Sequence, residues 1–66
     1  MDISIKEIEN TKVFKKLNNI QQMFVVKRKN REVITNALIV YKSTGIIPGT
    51  VAGYNLAIVQ EMLFNK

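Results

Sequence analysis

The densest group of charged side chains lies at residues 27–31, where KRKNR carries four positive charges. Lys and Arg bind phosphate and carboxylate groups, so such a cluster is typical of a surface that contacts a polyanion. Residues 10–31 contain no Asp or Glu. We therefore expect phosphate contacts from Lys27, Arg28, Lys29 and Arg31, extended by Lys12, Lys15 and Lys16. The alternative is a solvated segment whose charge only aids solubility.

Side chains suited to catalysis or metal binding are scarce. The chain has no Cys and no His, which excludes disulfides, thiolate metal sites and imidazole acid–base chemistry. Among the five carboxylates only Glu7 and Glu9 are close in sequence, and their i, i+2 spacing puts them on different faces of a helix. Gly45, Gly49 and Gly53 lack the Lys-Ser/Thr of a phosphate-binding loop. We expect no enzyme activity, no metal and no cofactor.

The first element that would position these groups is a helix over residues 11–24. Asn10 or Thr11 is suited to cap its N-terminus. At 100° per residue one face of this helix is apolar, and the opposite face carries the lysines. The apolar face consists of Val13, Phe14, Leu17, Ile20 and Phe24. This pattern assigns the two Phe side chains to the core, with Met23 and Met62 as core or interface filler.

Two further helices are predicted towards the C-terminus. The first of them spans residues 31–42 and ends before Gly45, a natural residue for the position after a helix. The other spans residues 48–64, with Pro48 in its first turn, where the missing N–H costs nothing.

The three helices predict a small all-α domain over residues 1–66, with a helix-turn-helix-like hairpin. For residues 1–10 the sequence is also compatible with a flexible N-terminal segment. An α+β fold is the alternative, because the β-branched residues around residues 24–35 are also compatible with a β-hairpin.

The third predicted helix has an apolar arc of about 200°, roughly twice what a helix against a single core needs. The excess indicates burial on two sides, one by the chain itself and one by another subunit or partner. The residues expected at this interface are Leu56, Ile58, Val59, Met62 and Leu63. We expect a homodimer.

Residues 41–55 (YKSTGIIPGTVAGYN) resemble the middle of a helix-turn-helix. Gly45 corresponds to the turn glycine, Ile46 to the apolar plug and Val51 to a core contact of the recognition helix. The resemblance implies duplex DNA binding, in which the second helix enters the major groove. Its groove-facing residues would be Thr50, Gly53, Tyr54 and Asn55. The alternative is a plain helical hairpin, with Tyr54 packed at its rim.

These observations favour a small DNA-binding regulator, and the Ile-, Asn- and Lys-rich composition suggests a phage, plasmid or low-GC bacterium as its source. A second hypothesis is a phage-type interaction protein that inhibits an acidic host protein through its apolar C-terminal helix and basic patch. A third is an α+β fold with a hairpin over residues 24–35 that serves as a structural part of a larger assembly. No apolar stretch reaches the roughly 18 residues that cross a bilayer, so we expect no membrane partner and a cytoplasmic location.

Overall fold

A computed structural model describes residues 2–65 and contains five helices. They are α1 (Ile5–Glu9), α2 (Lys12–Lys16), α3 (Asn19–Val25), α4 (Arg28–Thr44) and α5 (Gly53–Phe64). Within the described residues there is no β-strand, which confirms the all-α prediction. The alternative of a β-hairpin around residues 24–35 is wrong. Residues 2–65 form five helices where the periodicity predicts three.

The predicted helix over residues 11–24 is broken between α2 and α3. Asn18 begins α3, because its side chain accepts a hydrogen bond from the Gln21 backbone N–H at 2.9 Å. The Gln21 side chain in turn accepts from the Asn18 N–H at 3.0 Å. This reciprocal capping box competes with continuation of the helix through Leu17, which is extended. The break changes the register, so Val25 is buried while Ile20 and Phe24 face solvent.

The N-terminal segment contains α1 and is anchored to the rest of the chain. Ser4 and Glu7 form a capping box at the start of α1, and Ile8 is fully buried. The Ile3 backbone N–H donates to Thr35 Oγ1 on α4 at 2.7 Å. Residues 2–10, considered flexible from the sequence, therefore include a helix and contribute to the core, while Met1 lies outside the described residues.

The two longest helices, α4 and α5, run side by side in the same direction. At their N-terminal ends Asn55 Nδ2 donates to Asn30 Oδ1 at 3.2 Å. Towards their C-terminal ends the rings of Tyr41 and Phe64 meet edge to face, with centroids 5.6 Å apart. A parallel pair needs a connection that returns along the helices. Residues 45–52 provide it, where a helix-turn-helix has a turn of three or four residues.

The connection between α4 and α5 agrees with the prediction from the sequence at two positions and differs from it at two. Gly45 ends α4 in the left-handed conformation (φ 75°), and Val51 is buried, both as expected, although Val51 lies in the connection and not in the second helix. Ile46, expected as an apolar plug, is 69% exposed. Pro48 lies in the connection, because α5 begins only at Gly53.

The core lies where α5 packs against α4 on one side and α2 on the other. Its fully buried large side chains are Ile8, Ile34, Ile58 and Val59. The wide apolar arc of α5 is thus covered largely by the chain itself, which removes the reason for expecting a second subunit there.

Candidate nucleic-acid interface

The N-termini of α4 and α5 meet at one end of the molecule. Asn30 is the third residue of α4 and Asn55 the third residue of α5, and their side chains are hydrogen-bonded. The Asn30 amide also donates to the Phe24 carbonyl at the end of α3. Three helix ends therefore converge here. We call this region the basic pole and define it as residues 27–31 and 53–55.

The helix N-termini at the basic pole differ from the other three. Side chains of Ser4, Thr11 and Asn18 accept hydrogen bonds from first-turn N–H groups of α1, α2 and α3. Lys27 and Ala52 occupy the same position before α4 and α5, and within the described residues neither makes such a bond. The first-turn N–H groups and the positive ends of two helix dipoles thus lie together without a side-chain cap.

The basic side chains of the pole differ in how far they are free to bind a ligand. Lys27, Arg28 and Lys29 are exposed. Arg31 is half-buried and its Nε donates to the Val26 carbonyl at 2.9 Å, so it supports the junction between α3 and α4. The structure thus brings three of the four predicted phosphate ligands to an open surface.

Arg28 makes two surface ion pairs. Its Nε lies 3.4 Å from Glu32 Oε1 and 4.0 Å from Asp2 Oδ2, while the Arg28 side chain remains 81% exposed. An exposed pair such as Arg28–Glu32 contributes about 0–1 kcal/mol, so a phosphate can replace it at little cost.

The residues predicted to face bases also lie at or next to the basic pole. Two of them already make hydrogen bonds within the chain. The Tyr54 hydroxyl accepts a hydrogen bond from Gln21 Nε2 at 2.6 Å, and Tyr54 remains 47% exposed. The Asn55 amide nitrogen is engaged by Asn30, which leaves its oxygen available. Gly53 begins α5 at φ 61°, and Thr50 is exposed in the preceding connection.

Lys12, Lys15 and Lys16 lie away from the basic pole. Their helix, α2, contacts α5 near Glu61, about 9 Å further along α5 than Asn55. The Glu61 carboxylate accepts from the Lys12 and Val13 backbone N–H groups at 2.7 and 2.9 Å. These two hydrogen bonds, aided by the nearby lysines, lower the pKa of Glu61. The structure therefore separates the basic residues into two groups.

The predicted partner interface on α5 is mostly inside the molecule. Ile58 and Val59 are fully buried, and Leu56, Met62 and Leu63 are half-buried against the core. Three of the exposed apolar side chains lie instead on one face of α3, which we call the α3 stripe. It consists of Ile20, Met23 and Phe24, which are 67%, 66% and 54% exposed. Sequence reasoning missed this stripe because a continuous helix places Ile20 and Phe24 in the core.

Comparison with known proteins identifies no family for this chain. No protein-family model, curated protein or solved structure matches the chain. Among residues 2–65, no group of three or more His, Cys, Asp or Glu side chains is arranged to hold a metal ion. No helix in the same part of the chain is both long and apolar enough to cross a membrane.

Proposed function

We propose that the protein binds DNA through the basic pole. The observation that carries the proposal is the Asn30–Asn55 contact, which joins two uncapped helix N-termini among exposed Lys27, Arg28 and Lys29 side chains. Backbone N–H groups at helix N-termini and basic side chains are both common ligands of phosphate oxygens. A small regulator of the kind predicted from the sequence would gain its affinity here.

The contacts at the pole would have separate roles. Lys27, Arg28 and Lys29 would hold phosphates, which gives affinity and salt dependence and little sequence preference. The first turn of α5 would approach the bases, as the N-terminal residues of recognition helices do in helix-turn-helix proteins. Tyr54 and the free oxygen of Asn55 would supply the polar contacts. This mode does not depend on a tight turn between α4 and α5.

A titration of labelled duplex DNA, followed by fluorescence anisotropy, tests this proposal. Three phosphate contacts predict that the binding constant falls about 40-fold between about 50 and about 200 mM salt. The double variant Lys27→Gln/Lys29→Gln leaves one contact, so the fall should shrink to about fourfold. Lys15→Gln/Lys16→Gln removes the same charge at the other end of α5 and is the matched control. Absence of binding to duplex and single-stranded DNA alike at low salt, or an equal effect of both double variants, would refute the proposal.

A second candidate is the binding of an acidic protein, and the exposed α3 stripe favours it. Three large apolar side chains on one face of a seven-residue helix form a patch of the kind found in protein interfaces. Such a partner would contact Met23 and Phe24, with Lys27 at the edge. The discriminating measurement is a pull-down after nuclease treatment. Met23→Ser/Phe24→Ser should lose the partner, whereas Ile39→Ser, which removes an exposed apolar side chain from α4, should retain it.

A further inference from the structure

Two aromatic rings, those of Phe24 and Tyr54, lie exposed at the edge of the basic pole. Phe24 is 54% and Tyr54 47% exposed. The Phe24 carbonyl accepts from Asn30, which is bonded to Asn55, the neighbour of Tyr54 in the chain. The Tyr54 hydroxyl is held by the Gln21 side chain of the same helix as Phe24. These contacts place the two residues in the same region of the surface, and the Gln21 bond restrains the Tyr54 ring.

The surroundings of the rings are positively charged. Lys27 Nζ lies 4.5 Å from the centroid of the Phe24 ring, and Arg28 and Lys29 follow in the next helix. Asp2 and Glu32 pair with Arg28 and offset part of this charge, but Lys27, Arg28, Lys29 and Arg31 leave the surface net positive. Charge complementarity thus favours a polyanion that also presents flat apolar groups.

We infer that Phe24 and Tyr54 are stacking platforms for unpaired bases, so that the protein prefers single-stranded over duplex DNA. This inference rests on the proposed function, since the same pole supplies the phosphate contacts. Bases stack on exposed aromatic rings in proteins that bind single strands, whereas the bases of a duplex are already stacked and paired. Lys27 would leave the Phe24 ring for a phosphate and free that ring face for a base.

Tyrosine fluorescence provides a direct test of stacking. The chain has two tyrosines and no tryptophan, so Tyr41→Phe leaves Tyr54 as the sole source of tyrosine fluorescence. Titration with oligo-dT of about 12 bases, which cannot pair with itself, should quench this fluorescence in step with binding measured by anisotropy. A dA·dT duplex of the same length should bind with much less quenching. Binding of oligo-dT without quenching would overturn the role of Tyr54.

Two matched Phe variants test the preference itself. Phe24→Leu should weaken oligo-dT binding by at least about fivefold and change duplex binding by less than about twofold. Phe64→Leu is the control, because Phe64 is 57% exposed but lies at the opposite end of α5. Equal weakening for both DNA forms, no effect of Phe24→Leu, or tighter binding of the duplex would overturn the inference alone. No binding of either form would refute the proposed function as well.

Discussion

Glu61 joins the C-terminal helix to the N-terminal half of the chain, and its replacement by Gln should destabilise the fold. Its carboxylate accepts hydrogen bonds at 2.7 and 2.9 Å from two first-turn N–H groups of α2, more than 45 residues away in sequence. A capping interaction contributes about 0.5–2 kcal/mol. We take about 1 kcal/mol for Glu61, because its side chain is partly exposed and solvent screens its charge. For a domain of this size, Glu61→Gln should lower the Tm by roughly 4–8 °C.

The same contact predicts how stability depends on pH. Folding lowers the pKa of Glu61 below its ordinary value of 4.5, chiefly through the hydrogen bonds from Val13 and Lys12. The stabilisation is therefore fully present above about pH 4.5 and is lost as the pH falls through the lower, folded-state pKa. The difference in Tm between the native protein and Glu61→Gln should be constant near neutrality and shrink as the pH falls below about 4.5.

Thermal unfolding followed by circular dichroism, at a series of pH values, measures both effects. Glu32→Gln is the matched control, because the ion pair that Glu32 makes within residues 2–65 is with exposed Arg28, and its loss should change stability by about 0.5 kcal/mol or less. Equal Tm values for Glu61→Gln and the native protein at neutral pH would refute the capping role. So would a Tm difference that persists undiminished at acidic pH.

Three further predictions concern the backbone, the core and the assembly. Gly45→Ala should cost about 1 kcal/mol in urea unfolding, because Gly45 has φ 75°, whereas Gly49→Ala should be nearly neutral; similar costs would contradict the turn geometry. Ile58→Val should cost about 0.5–1.5 kcal/mol in the same assay, because Ile58 is fully buried, and no loss would contradict the core. Sedimentation should give the 7.6 kDa monomer, since α5 is covered by its own chain, and a dimer would contradict that explanation.

The features predicted correctly from the sequence depend on local chemistry. Thr11 caps α2, and Gly45 ends α4, because a hydroxyl acceptor and a residue tolerant of positive φ are needed at those positions. The all-α class follows from helical periodicity. The break before α3 also has a local signal, since Asn18 and Gln21 have the spacing of a capping box. The apolar face of residues 13–24 concealed that signal.

The composition of the candidate site depends on long-range contacts that periodicity does not reveal. Tyr54 and Asn55 lie beside residues 27–31 because α4 and α5 are parallel. The short turn expected from the sequence would have joined the two helices at a different angle. The α3 stripe is exposed only because the helix restarts at Asn19 in a new register. Separation of Lys12 from the pole likewise follows from the contact between α2 and Glu61, which are distant in sequence.

The most direct test of DNA binding at the basic pole is a map of backbone amide shifts. Isotope-labelled protein is titrated with a short DNA at low salt, and the change at each amide is recorded. The account predicts the largest changes in the first turns of α4 and α5, at Arg28, Lys29, Gly53 and Tyr54. Changes centred on Lys12, Lys15 and Lys16, or no change at any amide, would contradict it.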